Sequence, residues 1–380
     1  MNVPVGWKLL TAVLASWTVP FAVAADDGFK RAPLRPFLGL PATIEAERGL
    51  PRLLSQTGVF AEVTALKPVP GIAGFSVNQP LWSDFAVKQR WIAVPNDGEP
   101  YTAGEQVAVA RDGPWMFPAG TVLIKHFALP LDLRKPDGAV RKLETRLLTV
   151  ARDGMVAGVT YRWRDDGSDA ELQTQTEDAV FRDYEVIGRD GAPTKVTWTF
   201  PSREQCIACH TVESGGILGF TTRQLNRPAD KGNQLAHFAE GGWLDRPWSA
   251  AEIAALPKLH AMSDASADAV TRIRSYLDAN CAHCHHPKTR IGGGGFLLDL
   301  RAQTPLDQQH LIDSDAENAL GIDDGKIIAP GSLERSVLLD RISRRDVFGM
   351  PPVGSNHLDE TFVAEVQAWI KSLPAAKPRP

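Results

Sequence analysis

The chain has 380 residues, 41 Lys and Arg against 45 Asp and Glu, and a formal net charge of −4. This balance offers no electrostatic footprint for nucleic acid, and the length exceeds what one core usually holds, pointing to two or three domains. The 32 Gly and 28 Pro predict many loops.

Residues 1–25 read as a secretory signal. Lys8 is the lone cation, Leu9 to Val23 is mostly apolar, and Ala22-Val23-Ala24 supplies small residues for cleavage near Ala24 or Ala25. Thr11, Ser16, Thr18 and Pro20 interrupt the apolar run and argue against a membrane anchor. A periplasmic or secreted bacterial protein with no stable membrane span in its mature chain is expected.

One short helix is expected near Ile44 to Leu54. Short β-rich runs follow at Arg90 to Val94, Gln106 to Ala110, Thr121 to Phe127, Leu143 to Val150, Val159 to Trp163 and Lys195 to Phe200. Asp-Gly pairs between them, such as Asp153-Gly154 and Asp190-Gly191, are hairpin signals. Val196, Trp198 and Phe200 alternate with Thr197 and Thr199, one face for a core and one for water. Residues 26–200 are therefore expected to form an all-β sandwich or barrel.

From Pro201 the period shifts toward 3.6, and mainly α domains are expected. Every cysteine falls in one of two C-x-x-C-H stretches, Cys206-Ile-Ala-Cys209-His210 and Cys281-Ala-His-Cys284-His285. This is the c-type haem attachment pattern: two thiols bond the porphyrin and the adjacent imidazole reaches the iron. A Cys₄ zinc site or a thioredoxin-like pair would use the same thiols. However, the pairs lie 75 residues apart, a histidine follows each, and no βαβ pattern surrounds either. Two covalently bound haem c groups are expected, with His210 and His285 as iron ligands.

Val270, Ile273 and Leu277 mark a helix from about Ala267 into Asn280, leading to the second motif. Phe362, Val363, Val366, Trp369, Ile370 and Leu373 mark a closing helix, with Asp359 as N-cap, Lys371 in its last turn and Pro374 beyond it. Helix, C-x-x-C-H, a loop at Gly292 to Gly295, a methionine and a closing helix follow the order of a cytochrome c domain. Met350, in Gly349-Met350-Pro351-Pro352, is the expected sixth ligand of the second haem. A His/Met pair raises the potential relative to two imidazoles. The expected divisions are 1–25 signal, 26–200 β-rich domain, 201–262 first haem-binding segment and 263–375 cytochrome c-like domain.

Further stretches carry a family likeness: Pro80-Leu-Trp-Ser-Asp-Phe-Ala-Val-Lys-Gln-Arg90, Phe117-Pro-Ala-Gly-Thr-Val-Leu-Ile-Lys-His-Phe127, Leu143-Glu-Thr-Arg-Leu147, Pro201-Ser-Arg-Glu-Gln-Cys206, Gln224-Leu-Asn-Arg227 and Tyr276-Leu-Asp-Ala-Asn-Cys281. With these and the paired haem motifs, the chain resembles a family of secreted bacterial dihaem c-type cytochromes with a β-rich N-terminal region. The resemblance covers roughly residues 30–375 and implies haem binding and electron transfer with redox partner proteins.

The sixth ligand of the first haem stays open among His126, His237, His260, Met262 and a vacant position. His126, on an expected strand, would tie the β-domain to that iron. His283, His286, His310 and His357 read as residues outside the iron sites, the last three at the surface. Three functions follow: a dihaem electron carrier; a redox enzyme, peroxidase-like or acting on a small molecule, with an open first haem; or a β-domain binding module coupled to electron transfer.

Overall fold

In a computed structural model, residues 29–34, 50–174, 178–289 and 297–374 are described. The signal segment, most of the expected Ile44 to Leu54 helix and the Gly292 to Gly295 loop lie outside the described residues.

Ten strands occupy the first half: β1 (Phe60–Glu62), β2 (Lys67–Pro68), β3 (Ile72–Gly74), β4 (Val87–Ala93), β5 (Val122–Pro130), β6 (Val140–Val150), β7 (Val156–Trp163), β8 (Ala170–Leu172), β9 (Val180–Ile187) and β10 (Pro193–Phe200). Strands β3 to β8 form one antiparallel meander in chain order, while β1 with β2 and β9 with β10 form separate two-stranded pairs. The six-stranded sheet is open, with β3 and β8 at its edges. Gly154, between β6 and β7, and Gly191, between β9 and β10, have φ of 81° and 86°. That left-handed backbone suits glycine, which is why the Asp-Gly pairs marked these hairpins.

Alternation gives the sheet two working faces. Trp91, Ile124, Leu147 and Val159 pair across β4 to β7 and fill a core with Leu54, Phe60 and Trp163. The opposite face begins with Ile92 and Leu123, which pack with Ile217, Phe220, Leu235, Phe238 and Trp243 from beyond residue 200. Further along that face, Phe127 and Leu143 pack against Val196 and Trp198 of the β9–β10 hairpin. The sheet thus shares its second face with the segment that carries the first motif.

The mainly α haem domains do not materialise. Among the described residues, seven helices follow residue 200: α1 (Arg203–Ile207), α2 (Thr222–Leu225), α3 (Gln234–Glu240), α4 (Ala250–Ala255), α5 (Ala269–Asn280), α6 (Val337–Ile342) and α7 (Glu360–Ser372). Only α5 and α7, with 12 and 13 residues, exceed two turns. The other five span 4 to 7 residues, and loops and bends fill the intervals, so the described protein is β-rich. Prolines explain the interruption, since none can sit inside a helix without losing a hydrogen bond and meeting the preceding turn. Pro228, Pro247, Pro257, Pro287, Pro305 and Pro330 punctuate this region.

The two long helices follow their sequence signals. Asp268 caps α5 through Thr271 N–H, and Asp359 caps α7 through Phe362 N–H. They pack together in a third core, where the Tyr276 and Phe362 rings stack at 3.7 Å. Among the described residues, no helix is long and apolar enough to cross a membrane.

Candidate functional site

The two C-x-x-C-H stretches adopt the same turn. In the first, the N–H groups of Cys209 and His210 donate to Cys206 O at 3.2 and 3.0 Å; in the second, those of Cys284 and His285 donate to Cys281 O at 3.0 and 2.9 Å. The Ser202–Gln205 capping box sets the first turn at the start of α1, and α5 delivers the second from its C-terminus.

The first imidazole is oriented by the backbone. His210 Nδ1 lies 2.7 Å from Gly216 O. A carbonyl can only accept, so Nδ1 carries the hydrogen and Nε2 keeps its lone pair, the arrangement that prepares a histidine to ligate metal. Gly215 and Gly216 have φ of 84° and 70°, turning the chain back to bring that carbonyl to the ring. Burial holds the His210 imidazolium down to about 4, favouring the neutral, ligating form.

Around the second motif lies a cavity of about 390 Å³. Cys281, Cys284, His285 and Met350 all line it, with Leu298, Leu300, Ile327, Val337, Ile342 and Phe362 supplying much of its apolar wall. The volume falls within the ~300–1,000 Å³ typical of cofactor sites. Two thiols, an imidazole and a thioether facing one largely apolar space form the donor set of a His/Met haem c, so the residues fit the group. Cys281 and Cys284 would attach it, and His285 and Met350 would supply ligands to its iron.

Contacts beyond the cavity hold the Met350 loop. Met350 N–H donates to Arg341 O at 2.9 Å, and Arg345 donates to Met350 O at 3.0 Å. Gly349 is buried, and a Cβ there would lie 2.5 Å from Arg344 O. Only glycine lets the chain pass Arg344 this closely.

The two motifs meet. The Cys209 and Cys284 side chains lie side by side, with His283 next to Cys209. These contacts hold the Cys209 thiol well below its usual value and push that of Cys284 up. Burial pushes the Cys281 thiol up to about 12. His283 therefore bridges the motifs and lines the cavity, a role its place between two cysteines does not reveal. Arg223 of α2 and Asp278 of α5 add a shielded ion pair at 2.8 Å between the same two segments.

The sequence candidates for the sixth ligand of the first iron have other engagements. His126 lies on the Trp91 face of the sheet, whereas the neighbouring Lys125 lies on the face shared with the first motif. Its Nδ1 is 2.9 Å from Thr145 Oγ1, and its ring meets Trp163 edge-on at 5.6 Å. The period of two turns His126 away from the motif, overturning its proposed reach across to the iron. His237 packs against Phe29 at 5.1 Å, His260 Nδ1 is 2.9 Å from Asp264, and Met262 packs in the third core.

Two histidines expected at the surface are structural instead. His286 is buried, and His357 Nε2 accepts Thr197 N–H at 3.0 Å, joining the Met350-to-α7 loop to β10. His310 is exposed, as expected.

A connection between β3 and β4 locks the arrangement. Gln79 and Gln224 exchange side-chain-to-backbone hydrogen bonds at 2.8 and 2.9 Å, and Gln79 Oε1 accepts Met262 N–H at 3.0 Å. Trp82 N–H donates to Asn280 Oδ1 at 2.6 Å, and its indole donates to His357 O at 2.9 Å. Asp84, 1% exposed, accepts the N–H groups of Asn356 and His357. Its carboxylate is the main polar anchor of the Met350-to-α7 loop that sequence pattern did not reveal. No protein-family model, curated protein or solved structure matches the chain.

Proposed function

We propose that the chain is a periplasmic or secreted dihaem c-type cytochrome that transfers electrons to and from partner proteins, with haem at Cys206/Cys209 and at Cys281/Cys284. The observation that carries this reading is the convergence of Cys281, Cys284, His285 and Met350 on one apolar cavity, across 65 positions of chain between His285 and Met350. Bound haem supplies one-electron exchange between ferric and ferrous iron.

The protein's own contribution follows from its contacts. Met350, on the wall of the same cavity, would supply a thioether ligand to the bound iron, which supports a centre that exchanges electrons without binding substrate. The apolar walls would exclude water and disfavour added charge on a bound haem. Contact between Cys209 and Cys284 supports two centres close enough for direct exchange. His210 is held ready through Gly216 O.

The other engagements of His126, His237, His260 and Met262 support a second reading, in which the first iron keeps an open position and the protein is a redox enzyme. Optical and EPR spectra of the matured protein, ferric and then reduced with and without carbon monoxide, separate the two. The carrier predicts two low-spin centres inert to carbon monoxide. One high-spin centre that binds carbon monoxide would replace it with the enzyme. A chain carrying no covalent haem after expression with a maturation system would remove both.

A further inference from the structure

The sheet presents a concentration of positive charge to the first motif. Register places Arg90 opposite Lys125, and Lys125 opposite Arg146; Lys88 pairs with Phe127 on the same face. The Lys88 and Lys125 ammonium groups and the Arg146 guanidinium lie 5.9, 5.0 and 4.5 Å from the Phe127 ring centroid. Cationic head groups from three adjacent strands thus converge around one ring. Like charges opposite one another on neighbouring strands destabilise a sheet.

Little within the chain offsets them. Glu144, fully buried, pairs with Arg146 at 2.5 Å, leaving its second oxygen and Arg146 Nε without hydrogen-bond partners. Asp84 and Asp359 act on Lys88 from the side of the second motif. Burial and mutual repulsion push the Lys88 amine down to about 7 and that of Lys125 well below its usual value. All four cations nevertheless remain partly exposed. The cluster lies beside the first motif: the charge of Arg146 acts on Cys206 and Cys209, and those of Lys125 and Arg146 act on His210. Partly desolvated cations that outnumber their counter-charges are costly, and a bound dianion would relieve the repulsion and accept the unpaired Arg146 Nε–H.

We propose that Lys88, Arg90, Lys125 and Arg146 form an anion cradle that takes the two propionate carboxylates of the haem attached at Cys206 and Cys209. This rests on haem attachment at the first motif. Carboxylate-like chemistry could also come from a free oxyanion entering from solvent, and the test distinguishes the sources.

The experiment is potentiometric titration of matured wild-type protein and of Arg90→Gln, Arg146→Gln, Arg90→Lys and Arg146→Lys, each checked by mass for two covalent haems. Removing a positive charge beside a propionate favours ferric iron. Each Gln variant is therefore expected to lower the potential of one centre and leave the other unchanged, while the Lys variants retain the wild-type values. Inorganic phosphate at constant ionic strength should shift neither wild-type potential, because the cradle is already filled. Gln variants with wild-type potentials, or Lys variants as perturbed as the Gln variants, would overturn the cradle while leaving the dihaem reading intact. A saturable phosphate-dependent shift in the wild type, a measurement independent of variant folding, would overturn the propionate assignment in favour of a free anion. A chain with no haem on Cys206 and Cys209 would overturn both proposals.

Discussion

The thiols of Cys209 and Cys284, 75 positions apart in sequence, lie close enough to shift each other's titration in opposite directions. Thiols this close are poised for oxidation unless haem consumes them. When the chain is made without a haem-attachment system and exposed to mild oxidant, a Cys209–Cys284 disulfide is expected to be the dominant cross-link. Peptide mapping under non-reducing conditions checks this; a dominant Cys206–Cys209 or Cys281–Cys284 link would contradict the close approach of the motifs.

Met350 reaches the second site from a loop far along the chain, so its thioether should be separable from covalent attachment. Met350→Ala is expected to retain two haems by mass, lower the potential of one centre and admit carbon monoxide or cyanide there. An unchanged potential and an inert spectrum would assign the axial position to another residue.

Gly349 tests the same loop without touching a ligand. The Cβ introduced by Gly349→Ala would press on the Arg344 carbonyl and displace Met350, with an expected loss of about 1–3 kcal/mol of stability. Denaturant titration measures that loss, and the methionine-to-iron absorption band in the ferric protein should weaken with it. Wild-type values for both would show that the loop yields freely.

His126 is 2% exposed, and burial holds its imidazolium from an ordinary value of 6.5 down to about 3. Between those pH values the unfolded chain binds a proton there that the folded chain does not. Its contribution to stability therefore falls as pH drops below about 6.5, by ~3 kcal/mol at pH 4. Subtracting the unfolding free energies of His126→Gln from those of wild type across pH 4 to 8 isolates this group from His210. A difference that stays flat over that range would mean that His126 titrates normally.

Sequence pattern revealed the sheet where side chains alternate and turns carry glycine, as at β6, β7 and β10. It missed β9 because Phe181, Arg182, Asp183 and Glu185 are exposed and only alternate residues Tyr184 and Val186 reach a core. Gln106 to Ala110 looked like a strand, yet Val107 and Ala108 make only isolated bridges, to Leu244 and Met116. The helical expectation failed because α5 and α7 have strong periodicity and caps, while the intervening chain is held by prolines and polar contacts that carry no period. At the candidate site, Cys281, Cys284, His285 and Met350 line one cavity. His283, Asp84 and the cations of β4 to β6 escaped notice because their roles arise from strand register and from partners distant in sequence.

The connection across residues 76–84 lies inside the sheet's own meander, yet its hydrogen bonds end on Gln234, Gln224, Met262, Asn280, Asn356 and His357. A recombination event joining this sheet to foreign segments after residue 200 would strand those amides and the Asp84 carboxylate without partners. Descent by exchange of modules is therefore disfavoured for this architecture, and the sheet and the segments that follow it should be inherited together, with substitutions in residues 76–84 matched by changes at distant partner positions.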